Sequence, residues 1–174
     1  YLTIDEIKKL IETDFKHDTI KRAFLFCCLV GLRYSDAASI VWGDISKDNN
    51  GDSVLRLRVK KTGREEIFPI SDEAMKMLPE RGTASDDDII FILPKNANAN
   101  KYIKRWVEAA GIRKRITFHC SRHTAATLNL SLGTPIETVA KLMGHTKIAT
   151  TQIYAKIVDE KKKEAVSRQN GIFD

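Results

Sequence analysis

The chain has 174 residues, 43% of them hydrophobic and 30% charged, a balance that excludes global disorder and suits one folded domain of ordinary size. No apolar run approaches the roughly 20 residues that span a bilayer, and the start, Tyr1-Leu2-Thr3-Ile4-Asp5-Glu6, lacks the basic-then-apolar layout of a secretory signal, so a soluble intracellular protein is expected. The net charge of +6 is moderate, and what points to nucleic acid is its clustering: Arg56, Arg58, Lys60, Lys61 and Arg64 in one stretch, Lys101, Lys104, Arg105, Arg113, Lys114 and Arg115 in another.

Thr3-Ile4-Asp5-Glu6 is a capping-box pattern ahead of the apolar positions Ile7, Leu10 and Ile11, which predicts a short amphipathic helix. A second helix, Asp18 to Val30, is apolar along Ala23 to Val30 and suits burial on nearly every side; Gly31 ends it. Cys27 and Cys28 sit in that run as small core hydrophobes, Cys120 stands alone, and the absence of a C-x-x-C pair argues against a disulfide scaffold or zinc module. Ser35 is placed to cap a third helix from Asp36 to Val41. From Val54 the period changes to two. Val54 to Val59 and Ile67 to Ile70 flank the basic turn Lys60-Lys61-Thr62-Gly63-Arg64 and predict a β-hairpin.

Ser71 opens a helix from Asp72 to Leu78, and Pro79 to Asp88 is a polar loop. Three helices follow, roughly Asn100 to Ala110, Ser121 to Leu132 and Pro135 to Leu142, with Pro135 in a first-turn position and Gly111, Gly133 and Gly144 between them. The last, Thr150 to about Ser167, becomes very polar after Val158. The expected class is mainly α with a small antiparallel β-sheet (α+β), in one domain over residues 1–174.

Taken singly, the chemistry-bearing residues have bland explanations. His119 and Arg122, three apart at a helix start, read as a cap with surface charge; Arg33 as a structural arginine; Lys61 as a solvated loop lysine; His145 as a histidine at a helix C-terminus; Tyr154 as half-buried packing. Together they are the parts for metal-free attack on a phosphodiester. Two arginines, Arg33 and Arg122, can bind the non-bridging oxygens on which charge accumulates. Tyr154, whose phenol titrates near 10, needs a proton acceptor and a positive field, which His119 and the arginines supply. Lys61 on the hairpin tip can protonate the leaving sugar oxygen, with Lys60 as its competitor, and His145 can donate a further hydrogen bond to the phosphate. No cofactor and no metal enters this scheme.

Val30-Gly31-Leu32-Arg33-Tyr34-Ser35-Asp36-Ala37-Ala38-Ser39-Ile40 with Trp42-Gly43-Asp44-Ile45 resembles the first-arginine box of the tyrosine recombinase (phage integrase) family. His119-Cys120-Ser121-Arg122-His123 resembles its H-x-x-R-H box, and Leu142-Met143-Gly144-His145 with Thr150-Thr151-Gln152-Ile153-Tyr154 its closing box. The order, the nine-residue step from His145 to Tyr154 and the hairpin lysine eight residues before Pro69 all match, and the resemblance covers essentially the whole chain. It implies strand cleavage through a 3′-phosphotyrosyl link, strand exchange by a tetramer on double-stranded DNA, a monomer free in solution, and a prokaryotic, nucleoid-associated protein acting in integration or excision of a mobile element. It also implies the roles given above for Arg33, Lys61, His119, Arg122, His145 and Tyr154, with Asp36 supporting the site. Because this chain starts where the family's catalytic domain starts, a core-binding domain is expected to lie outside it, and the tail from about residue 155 to 174 to dock on a neighbouring subunit or to fray.

Lys60, Arg64, Lys101, Lys104, Arg105, Arg113, Lys114 and Arg115 are the expected phosphate contacts, sequence-independent and salt-sensitive. Ser85-Asp86-Asp87-Asp88 resembles half of a two-metal site, but no second acidic cluster has fitting spacing, so these acids are read as loop caps. Two other readings use the same residues: a type IB topoisomerase-like enzyme, and a catalytically silent DNA-binding module. The integrase-style boxes count against the first, and the complete set of six residues against the second.

Overall fold

The computed structural model describes residues 1–58 and 62–173, and divides the chain into two compact units, Tyr1–Ala125 and Ala126–Asp174. The first carries α1 (Ile4–Glu12), α2 (Asp18–Val30), α3 (Tyr34–Ala37), β1 (Ile45–Lys47), β2 (Ser53–Arg58), β3 (Glu65–Pro69), α4 (Asp72–Lys76) and α5 (Asn96–Ala109). The division falls within α6 (His119–Ser131); α7 (Ile136–Leu142) and α8 (Ile148–Ser167) complete the second unit. The fold is thus mainly helical with one small antiparallel sheet, as the sequence predicts. No described helix is long and apolar enough to cross a membrane.

The capping box at α1 is formed as expected: the Glu6 amide donates to Thr3 Oγ1 at 3.2 Å and the Thr3 amide to Glu6 Oε2 at 2.8 Å. Every side chain of α2 from Ala23 to Cys28 is buried. Around it the core gathers Trp106 of α5, Phe118 and the inward residues Leu55 and Phe68 of the sheet. Trp106 is the keystone. It stacks on Phe15 at 4.8 Å, meets Phe24 edge-on at 5.8 Å, and its indole N–H donates to the Leu10 carbonyl at 3.1 Å, so α1, α2 and α5 are fixed by one residue.

The sheet runs β1-β2-β3, with Ile45 opposite Leu55 and Leu55 opposite Phe68. The predicted hairpin is β2 and β3. The third strand escapes a sequence reading because three residues are too few to display a period of two.

Helix α3 corrects the expected cap. It starts one residue before Ser35, with Arg33 at its N-cap, and ends at Ala37 instead of running to Val41. Residues 40–43 are claimed by the loop before α5: the Ile90 amide donates to the Ile40 carbonyl, the Trp42 amide to Asp88 and the Gly43 amide to Asp86. A strand-like pairing, including the Val41–Ile89 bridge, wins over continued helix. The approach at Gly43 is so close that a Cβ there would lie 3.1 Å from both the Asp86 Cβ and its carbonyl oxygen. Helix starts also shift: α5 begins at Asn96, α6 at His119 and α8 at Ile148, and Pro135 is the N-cap of α7, its ψ of 144° lying outside the helix.

Candidate active site

Gly31 ends α2 in the left-handed region at φ 83°, a conformation costly for any residue with a Cβ. This turn aims the Gly31 carbonyl at Arg122, whose Nη1 donates to it at 2.6 Å. Arg122 is only 8% exposed, so a charge-assisted bond of this length constrains the guanidinium plane. The backbone of the first arginine box therefore orients the arginine of the second. Arg33 itself is half-buried at the N-cap of α3, and no carboxylate pairs with it among the described residues.

The start of α6 is anchored from three directions. The Phe118 amide donates to Asn100 Oδ1 of α5 at 2.8 Å, the Thr117 amide to Cys120 Sγ at 3.3 Å, and the Ser121 hydroxyl returns a bond to the Phe118 carbonyl at 2.6 Å. His119 sits on this fixed end with its ring edge-on to His123 at 4.7 Å. Partial burial, then the guanidiniums of Arg122 and Arg33, hold its pKa below the ordinary histidine value of 6.5. A neutral imidazole beside two guanidiniums, one of them anchored, can accept a proton while the cations hold an anion. His123 is also lowered, by burial first and then by His119 and Arg122.

Asp36 is 5% exposed on α3. Burial pushes the Cys27 thiol far above its usual range, Asp36 pushes it further up, and Arg122 pulls it back, so the buried thiol feels both charges. Asp36 and Arg122 thus share one neighbourhood beneath the arginine boxes, and Cys27 is held as an inert thiol.

In the second unit His145 follows the turn that ends α7, its amide donating to the Ala140 carbonyl at 2.9 Å. Its Nδ1 lies 2.8 Å from Thr151 Oγ1 of α8. Thr151 is fully buried, and Tyr154, three residues on along the same helix face, is half-buried. Lys60 and Lys61, with Val59 of the expected hairpin, lie outside the described residues.

Of the expected phosphate contacts, Lys101, Lys104, Arg113, Lys114 and Arg115 line one open groove of about 660 Å³ between α5 and the segment leading to α6. Arg105 does not join them: it borders a separate recess of about 290 Å³ with Phe15, His17, Tyr102 and Trp106. Arg64 is exposed beyond the hairpin turn. Lys114 is already engaged, donating to Glu6 Oε2 at 2.7 Å and to the Tyr1 carbonyl at 3.2 Å. Burial alone would raise the Glu6 pKa; its bonds to Lys114 and Thr3 outweigh that and lower it. The Ser85 to Asp88 acids are used locally: Asp88 accepts from the Ser85 amide at 2.8 Å and Asp86 pairs with Arg81 at 2.6 Å.

Asn100 and the hydroxyl of Thr151 escape a sequence reading of functional residues. Thr151 leaves a trace there, standing three residues before the tyrosine on its face of α8, whereas nothing local separates Asn100 from its neighbours Asn96 and Asn98.

Residues 1–161 match the model of the phage integrase family. The tyrosine recombinase XerA of Pyrococcus furiosus is 31% identical over 97% of this chain and 61% of its own length. The crystal structure of XerA recombinase superposes with a TM-score of 0.76 at 25% identity, over 99% of this chain and 64% of that one. That of the XerH site-specific recombinase bound to a palindromic difH substrate gives 0.74 at 19% identity, over 96% and 52%. The chain spans about three fifths of the length of the curated relatives it matches.

Proposed function

The chain belongs to the phage integrase family, and on that premise we propose that it is the catalytic part of a site-specific DNA recombinase that cuts and rejoins strands without a metal. The observation that carries this reading is His119 on the anchored start of α6 with Arg122 held by the Gly31 carbonyl, where partial burial and then the charges of Arg122 and Arg33 disfavour the imidazolium, an arrangement suited to a phosphodiester and to a proton leaving its attacker.

In the proposed step the Tyr154 phenol oxygen attacks phosphorus, the phenolic proton passes to His119, and the P–O5′ bond breaks. Lys61 gives a proton to the departing oxygen, which leaves as a 5′-hydroxyl. Arg33, Arg122 and His145 bind the non-bridging oxygens, and Asp36 supports them. The phosphotyrosyl ester conserves the energy of the broken bond, so a 5′-hydroxyl of another strand can reverse the step and join there. Substrate binding is assigned to the groove cations Lys101, Lys104, Arg113 and Arg115, together with Arg64, Lys60, Arg105 and Lys114; a recombinase of similar fold was solved on DNA.

We further propose a tetramer on two duplexes, a monomer away from DNA, residues 155–174 docking between subunits, a core-binding domain elsewhere in the polypeptide, and a role at the prokaryotic nucleoid in integration or excision of a mobile element. The test is covalent trapping. The full-length protein is incubated with a nicked duplex carrying its own target site, in EDTA, and resolved on a denaturing gel. An adduct that disappears in Tyr154→Phe is the expected result; cutting that requires a divalent metal and leaves no adduct overturns the reading. Lys61→Ala should slow cleavage more than Lys60→Ala, and equal losses would remove Lys61 from the general-acid role.

A further inference from the structure

We propose that Thr151 is a positioning residue: its buried hydroxyl donates to Nδ1 of His145 and thereby fixes the neutral ring in the tautomer that carries its proton on Nε2. This rests on the proposed role of His145 as a donor to the scissile phosphate.

Thr151 Oγ1 and His145 Nδ1 are 2.8 Å apart. Either atom can donate across that distance, and the choice decides what the far side of the ring is. If Nδ1 carries the proton, a neutral His145 offers only a lone pair at Nε2 and repels a phosphate oxygen. If the hydroxyl donates, Nε2 carries the proton and is a donor without any need for the imidazolium.

The surroundings of the hydroxyl make the choice. Thr151 has zero exposure, so no solvent molecule accepts its proton. Elsewhere in this chain helical hydroxyls discharge theirs one turn back: Thr124 to the Cys120 carbonyl at 2.8 Å and Ser131 to Thr127 at 2.7 Å. Thr151 makes no such bond among the described residues, and His145 Nδ1 is the partner its oxygen has there. A proton pointed anywhere else would be a buried donor with no acceptor. Donation to Nδ1 is therefore the satisfied state, and the Nε2–H tautomer follows. Position 151 also sits one helical turn before Tyr154, so α8 carries the tautomer switch and the proposed nucleophile on the same face.

The experiment combines a spectroscopic and a kinetic arm on the full-length protein. In 15N-histidine-labelled protein at about pH 8, where imidazoles are neutral, long-range proton–nitrogen spectra report which ring nitrogen holds the proton, the His145 signals being those lost in His145→Asn. We expect N–H character at Nε2 and lone-pair character at Nδ1 in the unmodified protein, and a shift toward the opposite tautomer in Thr151→Val. Cleavage of the nicked duplex should fall about tenfold in Thr151→Val and return in Thr151→Ser, which keeps the hydroxyl. A proton found on Nδ1 in the unmodified protein overturns the proposal even if Thr151→Val fails to fold. So does a Thr151→Val protein with an unchanged tautomer and an unchanged rate. If His145→Asn cleaves normally, the phosphate role of His145 is wrong, and the spectra still judge what Thr151 does to the ring.

Discussion

His119 titrates low because partial burial disfavours its charged form and because that form would also lie in the field of the Arg122 and Arg33 guanidiniums. His119 should therefore show a pKa below 6.5 in an NMR titration of the folded protein, and Arg33→Ala should move it upward. The acid limb of cleavage then lies below pH 6.5, since the base must be neutral to work. With the folded value depressed, the unfolded chain binds more protons as pH falls below about 6.5, so this residue's linkage destabilises the fold on acidification and is silent above it. Gly31 offers a second test. Gly31→Ala places a Cβ at φ 83°, costs about 1–2 kcal/mol in urea unfolding, and displaces the carbonyl that holds Arg122, so cleavage should drop by more than the stability loss explains. A variant with wild-type cleavage would mean that Arg122 does not need that carbonyl.

At the scale of elements, α5 is fixed on two sides, by Trp106 in the core and by Asn100 at the start of α6. Trp106→Ala removes the largest buried ring and its bond to Leu10, and should cost about 3–5 kcal/mol by denaturant titration. Asn100→Ala leaves the Phe118 amide without its acceptor, at about 1–3 kcal/mol, and should broaden the His119 resonances while leaving those of the sheet sharp. Most elements are legible in the sequence because their signals are local: the capping box of α1, the apolar run of α2, the alternating strands around a glycine turn. What is not legible depends on distant partners. No local feature announces that residues 40–43 will pair with residues 86–90 and cut α3 short, or that Asn100 will serve a helix 18 residues away. The boxes themselves are legible because order and spacing are sequence properties; the hydroxyl on His145 and the carbonyl on Arg122 are not, because one contact forms across the turn between two helices and the other between residues 91 apart in the chain.

For the molecule as a whole, the +6 charge matters through where it is uncommitted. Lys101, Arg113 and Arg115 face the groove without an acidic partner among the described residues, whereas Lys114 is held by Glu6. Replacing any of the first three by alanine should flatten the plot of log affinity against log salt by roughly 0.9 for each phosphate no longer neutralised, measured by anisotropy on duplex DNA. Lys114→Ala should flatten it less and also lower thermal stability, because part of its charge is committed to Glu6, and an equal salt effect would mean that the Glu6 pair does not withhold it from phosphate. The same lysine leads to the chain's first residues. Tyr1 is held through its carbonyl by Lys114, and the Leu2 amide donates to the buried Thr124 hydroxyl of α6 at 2.9 Å. Any polypeptide joined ahead of Tyr1 would leave the fold beside the helix that bears His119 and Arg122, so a pull on that junction would load that helix through Thr124 and the core through the buried Leu2 at once.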